Sequence, residues 1–147
     1  KLSGSNVLNK EVNLQSLNPG AKELPFDDDT FEYAIIISVV SLLGSLERIH
    51  LVMSELNRVL KPGGKIIADV NTNKSQFALD GNSIGNHIYV NSGRKKNQKE
   101  IFCFCPDNEN VFKEIFSKYF KLLDTGRSSS LVMNNSTDEY IYSGIKL

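Results

Sequence analysis

The sequence predicts an α/β protein whose sheet is covered on both faces and closed by an antiparallel strand pair. Three observations carry this. "FEYAIIISV", from Phe31 to Val39, has nothing polar between Ala34 and Ile37, as expected of a strand buried on both sides. A helical repeat then runs from Ser45 to "KPGG", followed at once by the apolar "KIIADV". Finally, "FKLLDTG" and "EYIYSGIKL" read as two closing strands around an "SSS…NNST" connection.

Each element has a local cause. Asp27-Asp28-Asp29, set between Phe26 and Phe31, is a polar turn leading into the first strand. Its carboxylates are read as solvated rather than metal-binding, because consecutive side chains converge poorly on one ion and no later Glu completes a calcium loop. Ser45 is the N-cap of the helix and Glu47 suits the positive end of its dipole. Leu46, Ile49, Met53, Leu56 and Leu60 make the apolar face, which leaves His50 toward solvent. Pro62 disfavours helix in the residue before it, and a glycine of "KPGG" is expected to supply the left-handed stop. A strand, a helix and a strand in this order form a right-handed β-α-β unit.

The flanks are less regular. "EVNLQSLN" alternates weakly, as an edge strand would, and Asn18-Pro19-Gly20 is a turn. Residues 71–100 are polar and rich in Asn, Ser and Gly, with "NHIYV" a short strand and Arg94, Lys95, Lys96 and Lys99 a basic tip. A segment this long between core elements reads as a lid-like insertion. In "EIFCFC" the cysteines share one strand face and the phenylalanines the other. Asp107 or Asn108 caps a last helix with Val111, Phe112, Ile115, Phe116 and Tyr119 as its stripe. The 147 residues are read as one domain, with residues 1–22 its least defined part.

Composition excludes several classes. Seventeen basic and seventeen acidic residues cancel, so nothing favours nucleic acid or an anionic membrane. The run Ala34 to Val40 falls far short of the roughly 20 residues that span a bilayer. Two cysteines one residue apart make no disulfide framework, and C-x-C is a poor zinc spacing; both are read as packing residues of a cytoplasmic protein, with no metal site. There is no G-x-S-x-G, no H-E-x-x-H, no Walker loop and, among ten glycines, no G-x-G.

"LPFDDDTFEYAIIISVVSLLGSLERIHLVMSELNRVLKPGGKIIADV", from Leu24 to Val70, resembles the central block of class I S-adenosylmethionine-dependent methyltransferases of the type 11 kind. The matching pieces are Leu24-Pro25-Phe26, Asp29-Thr30-Phe31-Glu32 and Arg58-Val59-Leu60-Lys61-Pro62-Gly63-Gly64. The resemblance implies a Rossmann-like methyltransferase sheet, truncated at its N-terminus. It also implies S-adenosylmethionine as cofactor and a small molecule as methyl acceptor. The cofactor contacts it implies are the backbone near Ala21 and Lys22 and the strand end at Ser38 and Val39. "SVVS" at that strand end, in place of "NPPY", argues against methylation of base amino groups.

The departures are as informative. Only 23 residues precede Leu24, too few for the family's glycine loop and ribose-binding carboxylate. Pro19-Gly20-Ala21 stands where the family has "GDA". The chain alone is therefore expected not to hold the cofactor and to be inactive. Two readings follow: part of an active methyltransferase, or a non-catalytic methyltransferase-like interaction domain, similar to the N-terminal domain of anamorsin-type iron–sulfur assembly proteins. The insertion favours the first. If a general base is needed, His87 and Tyr89 are the candidates in the insertion and His50 a third. The first strand, lacking its family neighbour, is expected at an exposed sheet edge. It would be covered by "EVNLQSLN", by a second or partner chain, or by the absent segment.

Overall fold

The computed structural model describes residues 21–92, 99–133 and 135–147; "EVNLQSLN" and Arg94, Lys95 and Lys96 lie outside them. The structure is a mixed α/β fold with two sheets. Strand β1 (Phe31–Ile36) pairs in parallel with β2 (Leu60–Asn71), in the register Ala34↔Ile66, Ile35↔Ile67 and Ile36↔Ala68. Helix α1 (Leu46–Val59) is the crossover between them. Helix α2 (Gln76–Asp80) and strands β3 (Asn82–Gly85), β4 (Ile88–Asn91) and β5 (Ile101–Phe104) follow, the strands forming a small antiparallel sheet. Helix α3 (Glu109–Phe116) then leads to the antiparallel pair β6 (Lys121–Val132) and β7 (Asn135–Ile145). The larger sheet has the order β1-β2-β7-β6, so the crossover unit and the C-terminal pair meet where β2 pairs antiparallel with β7.

One core joins these parts. Ile49 and Met53 of α1 pack with Ile66, Ala68 and Val70 of β2, and with Phe112, Phe116, Phe120 and Tyr142 from the α3–β7 side. The Tyr142 hydroxyl, buried with its ring, donates to the Phe120 carbonyl at 3.0 Å, so no polar atom is stranded in this core. Ser45 caps α1 by accepting from the Arg48 N–H, and Asn108 caps α3 by accepting from Asn110 and Val111.

The structure corrects several expectations. The first strand ends at Ile36 rather than Val39, because the chain turns at Ser38 into a 3-10 turn at Val40–Leu43. No glycine stops α1. The helix ends at Val59, and Leu60 is already extended (φ −78°, ψ 141°). Gly63 does have a positive φ of 77°, but inside a loop-out of β2, where Phe31 faces Leu60 and Tyr33 faces Lys65. That loop-out is held by the residue that follows β7: the Gly63 N–H donates to the Lys146 carbonyl and the Lys146 N–H to the Gly64 carbonyl, both at 2.9 Å. His50 does not face solvent; its Nδ1 lies 3.1 Å from the Tyr119 hydroxyl, in a half-buried contact. The polar insertion contains α2, β3 and β4. The "SSS…NNST" connection is mostly strand, since β6 runs to Val132 and β7 starts at Asn135.

The two glycines of the loop-out are needed for different reasons. A Cβ on Gly63 would meet nothing within 4 Å, so only its left-handed backbone disfavours a side chain. A Cβ on Gly64 would lie 2.8 Å from the Lys61 carbonyl oxygen. Gly63→Val is expected to lower unfolding free energy by about 1–2 kcal/mol, and Gly63→Asn by clearly less, since Asn tolerates this region. Urea denaturation of the two variants checks this, and equal midpoints would refute the conformational account.

Candidate cofactor cleft and strand-end cluster

Arg58 holds one wall of the candidate site in place through Leu24 and Glu55. Its guanidinium donates from Nη2 to the Leu24 carbonyl (3.0 Å) and from Nη1 to the Phe26 carbonyl and Asp28 Oδ1 (both 2.8 Å). Nε and Nη2 also donate to the two carboxylate oxygens of Glu55, one helical turn earlier. Glu55 in turn accepts the Leu24 N–H at 2.8 Å. These bonds clamp the Leu24–Asp28 segment to α1. The hydrogen bond from Arg58 holds the Glu55 carboxyl below the usual carboxylate range, against the effect of burial. The aspartate turn is used in the same way: Asp28 pairs with Arg58 and Asp29 with Lys146, each at 2.8 Å.

Behind this wall lies a cleft of about 400 Å³ between the 21–24 segment, β1 and α1. Its lining is mostly apolar and includes Ile35, Ile36, Leu43 and Val52. Of the residues expected to contact a cofactor, it brings together Ala21, Lys22 and Val39. Ser38 is not among the lining residues; it adopts a left-handed φ of 59° and donates its N–H to Asp69 Oδ1 at 2.7 Å.

Asp69 belongs to a polar cluster at the carboxyl ends of β1 and β2. It is buried, as are Ser41, Thr72 and Asp138. The Asn71 N–H donates to Ser41 Oγ at 2.7 Å, which ties the 3-10 turn to β2. Glu139 stands opposite Asn71 in the β2–β7 register, so it shares a sheet face with Asp69. Burial, then the charges of Asp69 and Asp138, raise the Glu139 carboxyl above its ordinary range. On the other sheet face, Asp138 accepts from Thr72 Oγ1 and from the Arg127 fork, with Arg127 Nη2 2.7 Å from Oδ2. Burial works against the charge of Asp138, but the bonds from Arg127 and Thr72 outweigh it and hold the carboxyl below its ordinary range.

The candidate bases stand elsewhere. His87 lies in the β3–β4 turn with φ 59°, 3.5 Å from an Asp107 carboxylate oxygen, and Tyr89 packs against Ala78, Cys103 and Cys105. Neither lines the cleft, and nor does His50. Asp69 and Glu139 are the strand-end groups that reading by motif missed. A carboxylate closing the apolar run "KIIADV" was the available signal for Asp69; Glu139 becomes visible only through the β2–β7 register.

The fold is that of Rossmann-like SAM-dependent methyltransferases of known structure. Over 97% of its length the chain superposes on 73% of a SAM-dependent methyltransferase of Methanosarcina mazei, with a TM-score of 0.72 at 15% identity. Residues 3–68 match the family described as Methyltransferase domain, which supports the type 11 resemblance independently of the fold. The chain is also similar to the demethylmenaquinone methyltransferases of Bacillus subtilis (39% identical over 54 residues, 37% of this chain) and Bacillus cereus strain B4264 (45% over 58 residues, 40%). The matched regions span 22% of each of these relatives.

Two predictions follow from the clamp and the cluster. Arg58→Lys keeps the charge but loses the fork that reaches Leu24, Phe26, Asp28 and Glu55 together. A lower urea midpoint and faster amide exchange in residues 24–28 are expected; unchanged exchange there would refute the clamp. The Asp138 carboxyl is held below its unfolded value near 3.8, so its contribution is present above that pH and is lost as pH falls toward the folded value. Arg127→Met should therefore destabilise at pH 7, and its deficit relative to wild type should shrink in denaturation curves taken below about pH 4.

Proposed function

We propose that this chain takes part in S-adenosylmethionine-dependent methyl transfer to a small-molecule acceptor, as part of a larger methyltransferase domain. The observation that carries the reading is the cleft that joins Ala21, Lys22 and Val39 beside the carboxyl end of a parallel strand pair. Open α/β sheets bind ligands at such strand ends.

The residues present fit one end of the cofactor better than the other. The apolar walls from Ile35, Leu43 and Val52, with the backbone near Ala21 and Lys22, suit a flat nucleobase. The sequence has no G-x-G for the amino-acid end, and its Pro19-Gly20-Ala21 has no carboxylate where the family's "GDA" carries one. When bound, the cofactor supplies an electrophilic sulfonium methyl. The contribution of this chain is to position the nucleoside, to exclude water and to orient the acceptor. Asp69 fixes the Ser38 turn beside the cleft, and Glu139, on the same sheet face as Asp69 by the β2–β7 register, is one candidate to take a proton from an acceptor, though like the others it stands outside the cleft lining. His87 and Tyr89 remain as alternatives on the insertion, which we read as a cover for the acceptor.

The acceptor class is proposed by similarity. The relatives are named for demethylmenaquinone, which makes a quinone-type ring the first acceptor to assay. Among the described residues no helix is long and apolar enough to cross a membrane. The free thiols Cys103 and Cys105 accord with a reducing, cytoplasmic setting.

Calorimetry with S-adenosylmethionine and its demethylated product tests the reading. Weak or no binding by this chain is expected, with micromolar binding restored when a glycine-loop segment from a related enzyme is added, and lost again in Val39→Arg. Micromolar binding by the chain alone would refute the claim that its cofactor site is insufficient. No rescue, together with a stable protein partner, would favour the non-catalytic interaction domain.

A further inference from the structure

The methyltransferase reading leaves unused a pair of thiols. Cys103 in β5 and Cys105 just beyond it are both fully buried, and their Sγ atoms lie 3.6 Å apart. They sit on one face of the strand, with the intervening Phe104 ring turned into the main core on the other. An alternation that would normally aim two side chains along one face in parallel here brings two sulfurs into contact.

The surroundings of the two sulfurs differ. The Cys105 S–H donates to Cys103. Asn71 Nδ2 approaches the same Cys103 sulfur at 4.0 Å, and the Ser41 hydroxyl stands near it. The Cys105 S–H and the Asn71 amide thus meet at the Cys103 sulfur, while the buried Ser75 stands beside Cys105. The Cys105 hydrogen bond foremost, with those from Asn71 and Ser41, lowers the Cys103 thiol below its ordinary range, while the proximity of Cys103 and burial push Cys105 up. A lowered thiol in contact with a raised one is the asymmetry of an attacking and a resolving thiol, and because both sulfurs are buried, peroxide reaches them through local opening of the small sheet.

We propose that Cys103 and Cys105 form a peroxide-sensitive dithiol that closes to an intrachain disulfide, with Cys103 attacking and Cys105 resolving. The Cys103 sulfur displaces one oxygen of hydrogen peroxide, the O–O bond breaks, and the departing hydroxide leaves as water with the thiol proton, giving a sulfenic acid. The Cys105 sulfur then attacks that sulfur, the S–O bond breaks, and a second water leaves with the Cys105 proton. Two thiols are oxidised and one peroxide is reduced. Closing the bond from 3.6 Å to about 2.05 Å draws Cys103 away from Asn71, whose backbone N–H is bonded to Ser41 of the strand-end turn. Oxidation would therefore be felt beside the candidate cleft.

The test is mass spectrometry of the whole chain. The protein is treated with hydrogen peroxide, quenched, denatured and alkylated with iodoacetamide. The expected product is lighter by two hydrogens, takes up no alkyl group, and yields one peptide holding both cysteines as a disulfide. Dithiothreitol should restore two alkylatable thiols. In Cys105→Ser, Cys103 should stop at the sulfenic acid and be labelled by dimedone; in Cys103→Ser, Cys105 should remain a free thiol at the same dose. Full alkylation of the treated wild type, or disulfides found only between chains, would overturn the proposal without reference to any variant. Equal dimedone labelling of Cys105 in Cys103→Ser would overturn the assigned order of attack.

Discussion

The described structure depends most on the planar fork of Arg58. One side chain at the end of α1 binds two carbonyls, one aspartate and a glutamate of its own helix. Backbone bonds continue the same junction: the Asp29 N–H donates to the Arg58 carbonyl and the Thr30 N–H to the Val59 carbonyl. Lys146, which follows β7, closes it, donating to Asp29 Oδ1 at 2.8 Å and to the Leu60 carbonyl at 2.7 Å. The polar turn before β1, the exit from α1 and the C-terminal strand are thus one hydrogen-bonded joint. Individual surface ion pairs contribute little, but a planar fork that satisfies several fixed acceptors loses less freedom per bond than separate pairs would. The cleft borders this joint, because Leu24 and Glu55, both bonded to Arg58, line it.

This explains what the "LPF" and "RVLKPGG" signatures encode, and why motif reading located the elements better than their ends. Hydrophobic periodicity found α1, β1 and β2, because Ile49, Met53, Ile66 and Ala68 must face one core. The boundaries were set by interactions between distant residues, and these leave little trace in a local window. The strand ends early because Asp69, 31 residues on, holds Ser38 in a left-handed turn. The helix ends before its glycines because the Leu60 backbone is drawn into the sheet opposite Phe31. His50 is turned inward by Tyr119, 69 residues away. In the candidate site the same division holds: Ala21, Lys22 and Val39, named through a family pattern, line one cleft, whereas Glu139 comes into view only through the pairing of β2 with β7.

The small sheet is attached to the same strand ends. A Cβ on Gly44, which has φ 72°, would approach the Phe102 side chain to 3.0 Å, so this position closes β5 against the 3-10 turn. Cys105 donates its N–H to the His87 carbonyl, and Asn71 links the turn to β2. The described strands of the small sheet are therefore packed against the 3-10 turn, and a displacement of one is passed to the other, since well-packed interiors deform little without a change of partners.

The larger sheet is asymmetric in its cover. Its α1–α3 face holds the core, while on β1 the opposite face leaves Tyr33 at 67% and Ile35 at 72% exposure, with Ile67 of β2 beside them in register. A strand with polar outward positions would suit a sheet half in water. This one carries tyrosine and isoleucine there instead, and fully burying one such side chain is worth about 1.5–3 kcal/mol. The sequence of β1 is thus written for a sheet covered on both faces, and among the described residues only one face is covered. The same strand is an edge in the order β1-β2-β7-β6, with its outer hydrogen-bonding groups facing away from β2. Both features lie next to the cleft, which Ile35 and Ile36 of β1 also line, so whatever packs on the outer face of this strand also borders the cleft.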